Sequence, residues 1–180
     1  MKLSPTEAAY LKLLILTGKR KGALAAMRWS EINAAWVWTP PGGKENKRRH
    51  PLSLPKLAQR ILLGLKPHEA KPDDLVFGAL NWRFQTRVQR LSGIEDFFPH
   101  AIRHTVETEL AKLRTVLPNG ESIAAVPPHL RDLLLDHAPN RGSGKDYEHY
   151  DYEKEKRVAL ELWAEHVEHL VMLEGVKALR

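Results

Sequence analysis

Two predicted helices meet at residues 16–22, which read LTGKRKG and place an arginine between two glycines. The first helix should begin at Ser4, because residues 4–7, SPTE, combine an N-cap, a proline at the first helical position and a capping-box glutamate. It should run to about Thr17. The glycines let the backbone turn and bring the guanidinium of Arg20 close to an anion. A solvated basic turn is the simpler alternative.

The composition is typical of one globular domain with a polyanionic partner. The 180 residues are 43% hydrophobic, enough for a core, and the net charge is +6. The basic excess lies in the first fifty residues, although many basic proteins bind no nucleic acid. The sequence has no apolar run near ~20 residues and no secretory signal, so we expect a cytoplasmic protein without membrane contact. The absence of cysteine excludes disulfides, thiol nucleophiles and thiolate metal sites.

The chain outside residues 16–22 is predicted to be mainly α-helical with a small antiparallel β-sheet, an α+β class. A strand is predicted over residues 35–39, a turn at residues 40–43, PPGG, and a returning segment toward Leu54. After Pro55 the pattern is mostly helical, with helices near residues 57–65, 81–91, 99–113 and 127–137. In the last helix, from about Glu153, the predicted buried positions are Val158, Leu162, Val167 and Leu170.

The predicted hairpin tip is strongly basic. Residues 43–50 read GKENKRRH, and a lysine on such a tip can enter a DNA groove or donate a proton to a leaving oxygen. Charged hairpin tips also occur simply because they favour solubility.

A third basic motif, residues 100–104, HAIRH, lies early in a predicted helix. His100 and Arg103 share one helix face and could present an imidazole and a guanidinium to one phosphate. His100 and His104 also have the spacing of helical zinc ligands, but Ala101 stands where the zinc-protease pattern needs glutamate. A helix with a basic face is the structural alternative.

The fourth motif is Asp136-His137, followed ten residues after the histidine by residues 147–152, YEHYDY. Tyrosine is a poor nucleophile at neutral pH and needs a cationic cluster and a base to activate it. A tyrosine in a loop is otherwise usually structural.

Taken in order, these four motifs resemble the catalytic domain of tyrosine recombinases, the phage integrase family. Residues 27–32, MRWSEI, resemble the continuation of the family's first box, and residues 147–152 with Trp163-Ala164 resemble the end of integrases encoded on genomic islands. The resemblance extends from about Leu11 to about Leu170. It implies the recombinase fold over residues 1–180, with the N-terminal core DNA-binding domain of the family absent from this chain.

The resemblance assigns a role to six catalytic residues. Arg20 and Arg103 match the arginines that clamp the scissile phosphate, and Tyr147 matches the nucleophile. His100 is expected to assist proton transfer and His137 to donate a hydrogen bond to the phosphate. The remaining role, general acid, falls to Lys44, with Lys47 as the rival because the register of the turn is open.

The implied reaction is site-specific DNA recombination or integration, as in phages and other mobile genetic elements. Tyrosine attack gives a 3′-phosphotyrosyl bond and a free 5′ hydroxyl, and a second strand can reverse the step without ATP. We expect no metal and no cofactor, double-stranded DNA as the partner, and self-association on DNA through the C-terminal helix. Further DNA contacts are expected from Lys19, Lys21, Lys47, Arg48, Arg49 and Arg87.

Two positions depart from the family pattern. Ala23 stands where the family commonly has glutamate, so an orienting contact is expected to be missing. Asp136 stands where the family usually has glycine, and its charge is expected to lie near the phosphate site. These departures, together with the missing N-terminal domain, favour a catalytically impaired DNA-binding module of the same fold as one alternative. A type IB topoisomerase-like enzyme, which shares the same catalytic residue types, is another, and a metal-dependent nuclease is a more distant third.

Overall fold

The computed structural model describes residues 2–41, 51–81, 83–136 and 152–177. This part of the chain is mainly helical with two small antiparallel sheets, which confirms the predicted α+β class. Its helices are α1 (Pro5–Thr17), α2 (Lys21–Ala25), α3 (Lys56–Leu65), α4 (Phe84–Ser92), α5 (Pro99–Lys112), α6 (Pro128–Leu134) and α7 (Glu153–Lys177). Its strands are β1 (Val37–Trp38), β2 (Leu52–Ser53), β3 (Arg114–Val116) and β4 (Ser122–Ala124), and Trp29–Glu31 forms one 3₁₀ turn.

Helix α1 is the centre of the domain and begins with the predicted capping box. The Ser4 hydroxyl accepts from the Glu7 N–H at 3.2 Å, and the Glu7 carboxylate accepts from the Ser4 N–H at 3.0 Å. Leucines 13, 14 and 16 are fully buried, and the helix packs against α2, α3, α5 and α7. Buried on several sides, α1 sets the positions of the helices around it.

The predicted hairpin is present as the β1–β2 pair. Val37 pairs with Ser53 and Trp38 with Leu52, and the indole of Trp38 is buried and donates to Glu31 at 2.9 Å. The tip of this hairpin, residues 42–50, lies outside the described residues.

A second hairpin, β3–β4, was not predicted. Its strands pair from Arg114↔Ala124 to Val116↔Ser122 across a turn at residues 118–120, PNG. All residues of both strands are exposed, so they lack the inward and outward alternation that identifies a strand.

The predicted buried face of α7 is wrong. Val158, Leu162 and Leu170 are 56%, 39% and 44% exposed and Val167 is only partly buried, whereas the core-facing residues are Ala159, Leu160, Trp163 and Ala164. The indole N–H of Trp163 donates to the Ile15 carbonyl at 2.8 Å. The small side chains of Ala159 and Ala164 allow α7 to pack closely against the core. This packing decides which of the two apolar faces of the helix is buried.

Within the described ranges, no helix has both the length and the apolar character needed to cross a bilayer.

Glu7 joins two stabilising contacts, and this gives a test of the fold. The buried carboxylate caps α1 and forms an ion pair with Arg87 of α4. Ser4→Ala removes a capping contact and should cost about 1 kcal/mol. Glu7→Gln keeps an oxygen that can accept from the Ser4 N–H but leaves the Arg87 charge unpaired, and it should cost about 3 kcal/mol. Urea unfolding followed by tryptophan fluorescence measures both, and a Glu7→Gln variant as stable as wild type would show that the ion pair contributes nothing.

Candidate phosphate-binding site

Three segments of the fold meet at Gly18, which ends α1. Gly18 has a φ of +59°, in the left-handed region. A Cβ at this position would lie 2.7 Å from the Leu135 side chain and 3.0 Å from that of Val106. The end of α1 therefore touches α5 and the end of α6 with no room for a side chain between them.

Arg103 links the same three segments from the side of α5. The side chain is only 4% exposed; Nη1 donates to the Gly18 carbonyl at 2.9 Å and Nη2 donates to the Leu135 carbonyl. Burial lowers the pKa of Arg103, and the nearby charge of Arg20 lowers it further. A guanidinium remains protonated under these conditions, so the site holds a fixed positive charge.

Arg20 lies beside this link but faces solvent. It stands at the N-cap of α2, and its Nη2 donates to the Asp136 carbonyl at 3.4 Å. Lys21 is the next exposed cation along the chain. Arg20 and Lys21 are the predicted site residues of this turn that an anion in solution can reach.

Lys19 does not have the predicted position on a DNA-contacting surface. It is 3% exposed, and its Nζ donates to both carboxylate oxygens of Asp136 at 2.7 Å. Burial lowers the pKa of Lys19, and the Asp136 charge opposes that shift. The pair also corrects the expectation for Asp136, because Lys19 balances the negative charge that was expected near the phosphate.

His100 extends the cluster along α5. Its exposed ring lies edge-on to that of His104, with 5.0 Å between the ring centroids. Desolvation lowers the pKa of His100 below its ordinary value, and nearby positive charges lower it further, in the order His104, Arg103, Arg20 and Lys21. Because the ordinary histidine pKa is about 6.5, the imidazole is mainly neutral at pH 7 and can accept a proton.

Arg20 and Arg103 donate to neighbouring carbonyls at the end of α6, His100 lies about one turn before Arg103 on α5, and Lys21 follows Arg20 in the chain, so these four residues form one cluster. Positive charge with N–H donors and a neutral imidazole is suited to binding an oxyanion such as a phosphodiester and to moving a proton beside it. Arg87 is not free for this cluster, since it pairs with Glu7. The other predicted site residues, Lys44, Lys47, Arg48, Arg49, His137 and Tyr147, lie outside the described residues.

The described part of the chain does not support the interpretation of the two histidines as metal ligands. There, no group of three or more metal-ligating side chains comes together, and the His100–His104 pair stands without a third ligand of this kind. The Lys19–Asp136 pair was missed from the sequence, because 117 residues separate the partners and neither has a local pattern that indicates the other.

Gly18 and Gly22 form a matched pair for testing the close contact. Gly18→Ala forces a side chain into a left-handed backbone and against Leu135, and should destabilise the fold by about 2–4 kcal/mol. Gly22→Ala lies in α2 with nothing within 4 Å of the added Cβ, and should stabilise by about 0.5–1 kcal/mol. Urea unfolding measures both, and a neutral Gly18→Ala would contradict the contact.

The pKa of His100 reports on the charges of the cluster. His104→Gln removes a positive neighbour and should raise the His100 pKa, and inorganic phosphate bound at the cluster should raise it also, because the anion stabilises the imidazolium. An NMR titration of the imidazole protons measures the shift, with His100→Gln used for assignment. A His100 pKa that does not respond to phosphate would place the anion elsewhere.

Comparisons with known proteins add no family to these observations. No protein-family model matches the sequence, and neither a curated protein nor a solved structure is significantly similar to it.

Proposed function

We propose that this chain is the catalytic domain of a tyrosine recombinase of the integrase type, with the recombinase catalytic-domain fold. It would cleave and rejoin DNA strands through a 3′-phosphotyrosyl bond without a metal ion. The observation that carries the proposal is that Arg20 and Arg103, which are 83 residues apart in the chain, donate to neighbouring carbonyls at the end of α6, with His100 about one helical turn before Arg103 on α5. Both guanidiniums also contact the end of α6, from which the chain continues to His137 and Tyr147.

The two arginines have unequal parts in this proposal. Arg20 is exposed and makes the outer contact with a non-bridging phosphate oxygen. Arg103 uses two of its five N–H donors in hydrogen bonds to the Gly18 and Leu135 carbonyls. It therefore links the end of α1 to the end of α6 and also adds a fixed positive charge. Their combined charge stabilises the extra negative charge of the pentacovalent transition state.

Proton transfer requires a base near the nucleophile and an acid near the leaving group. The lowered pKa keeps His100 neutral, so it can take the phenolic proton as the Tyr147 oxygen attacks phosphorus. The bond between phosphorus and the 5′ oxygen then breaks, and Lys44, or Lys47, protonates that oxygen. A 5′ hydroxyl from another strand reverses the same step and completes strand exchange.

Two features support DNA and a second copy of the chain as partners. The net charge of +6 favours a polyanion. Along α7, residues 170–173 are apolar and between 44% and 67% exposed, and Leu162 is 39% exposed, which leaves apolar surface for association on DNA.

A catalytically impaired DNA-binding module is the second candidate. The burial of Arg103 favours it, because a guanidinium that is 4% exposed and bonded to two carbonyls is suited to a structural role. Ala23 also favours the impaired module, since it provides no carboxylate to orient Arg20.

Covalent trapping on nicked suicide duplexes tests the proposal. Wild type is incubated in EDTA with a half-site library, beside Tyr147→Phe, Tyr150→Phe and Arg20→Ala. We expect a protein–DNA adduct that Tyr147→Phe abolishes, that Tyr150→Phe retains and that Arg20→Ala forms about 100- to 1000-fold more slowly.

Each other outcome separates the candidates. An adduct lost only in Tyr150→Phe keeps the reaction and reassigns the nucleophile. DNA binding without any adduct favours the impaired module, and dependence on a divalent metal contradicts the proposed chemistry.

A further inference from the structure

The buried ion pair between Lys19 and Asp136 joins the turn after α1 to the end of α6. Nζ lies 2.7 Å from each carboxylate oxygen, and the two side chains are 2% and 15% exposed. Lysine is rarely buried, because desolvating its charge is costly unless a partner compensates. The bidentate geometry supplies that compensation and fixes both ends of the pair.

The backbone at Asp136 indicates that the carboxylate has a use beyond the turn. Asp136 has a φ of +50°, which glycine adopts without strain and an aspartate adopts with some. A glycine would complete this turn equally well. The aspartate instead supplies the carboxylate that holds Lys19.

Arg20 is next to one partner in sequence and bonded to the other. It directly follows Lys19, and its Nη2 donates to the Asp136 carbonyl at 3.4 Å. The ion pair therefore clamps the backbone on both sides of the Arg20 guanidinium. Arg103, by contrast, is anchored independently through Gly18 and Leu135.

We propose that Lys19 and Asp136 are a positioning pair, which holds the Arg20 guanidinium at the end of α6. The consequence for catalysis rests on the proposed recombinase function. The position of Arg20 itself does not, so it can be measured without any reaction.

The double variant Lys19→Met/Asp136→Asn separates positioning from charge. It removes one positive and one negative charge, so the net charge around His100 is unchanged. It also leaves neither partner of this pair as an unpaired buried ion, so the fold should be retained. A change in the His100 pKa that the double variant produces when Arg20 is present, and does not produce in an Arg20→Ala background, reports a moved Arg20.

NMR titration of His100 provides the activity-independent test. Arg20 lowers the His100 pKa, so Arg20→Ala should raise that pKa, and the double variant should raise it in the same direction. Urea unfolding checks that the variant is folded. A folded double variant with the wild-type His100 pKa would overturn the proposal.

The rate of adduct formation at saturating DNA provides the functional test. The double variant should react about 100-fold more slowly than wild type, the loss typical of a misplaced catalytic group. Glu7→Gln, which loses an ion pair on α1 away from Arg20, should react at the wild-type rate. A double variant as fast as wild type would show a merely structural pair and overturn the proposal.

The two tests distinguish failure of the recombinase function from failure of the positioning role. If wild type forms no adduct, the recombinase function fails, while the His100 titration still decides whether the pair positions Arg20. If wild type reacts and the His100 pKa is unchanged in the double variant, the positioning role fails alone.

Discussion

The absence of a side chain at Gly18 is the constraint on which the site depends. The Leu135 and Val106 side chains occupy the space that a Cβ would need, so the end of α1 touches α5 and the end of α6 directly. This contact brings the Gly18 and Leu135 carbonyls within reach of one guanidinium, that of Arg103. It also buries the next residue, Lys19. The positions of Arg103 and Lys19 follow from this one approach.

Some of the charged groups at the site pair with each other inside the protein, and the others remain available to a ligand. Lys19 and Asp136 neutralise each other inside the protein. Arg20 and Lys21 remain exposed, and Arg103 adds a fixed charge from below the surface. Charged groups that are held in place before a ligand arrives need little reorganisation when it binds, which is how protein sites stabilise a developing negative charge. The cluster has this property for an oxyanion whichever of the two candidate functions holds.

The sequence predicted local structure well where a local cause decides it. The capping box of α1, the helix that begins at residue 99 and the β1–β2 hairpin are all present where short-range signals indicated them. The prediction of the buried face of α7 was wrong because two apolar stripes run along that helix, and only packing against α1 decides which of them is buried. The β3–β4 hairpin was missed because its strands lie at the surface and carry no alternating pattern.

The features of the candidate site also separate into those with a local cause and those that depend on tertiary contacts. The sequence by itself determined the residue types, the glycine at the turn and the helical spacing that puts His100 and Arg103 on one face. Only the tertiary structure decided that Lys19 is buried and paired with Asp136, that Arg103 is buried and donates to two carbonyls, and that Arg20 is the exposed arginine. Spacing along a helix follows from its fixed geometry, whereas solvent exposure and ion pairing depend on which distant segments meet. Those contacts follow from the packing of α1, α5 and α6, and no short stretch of the sequence encodes them.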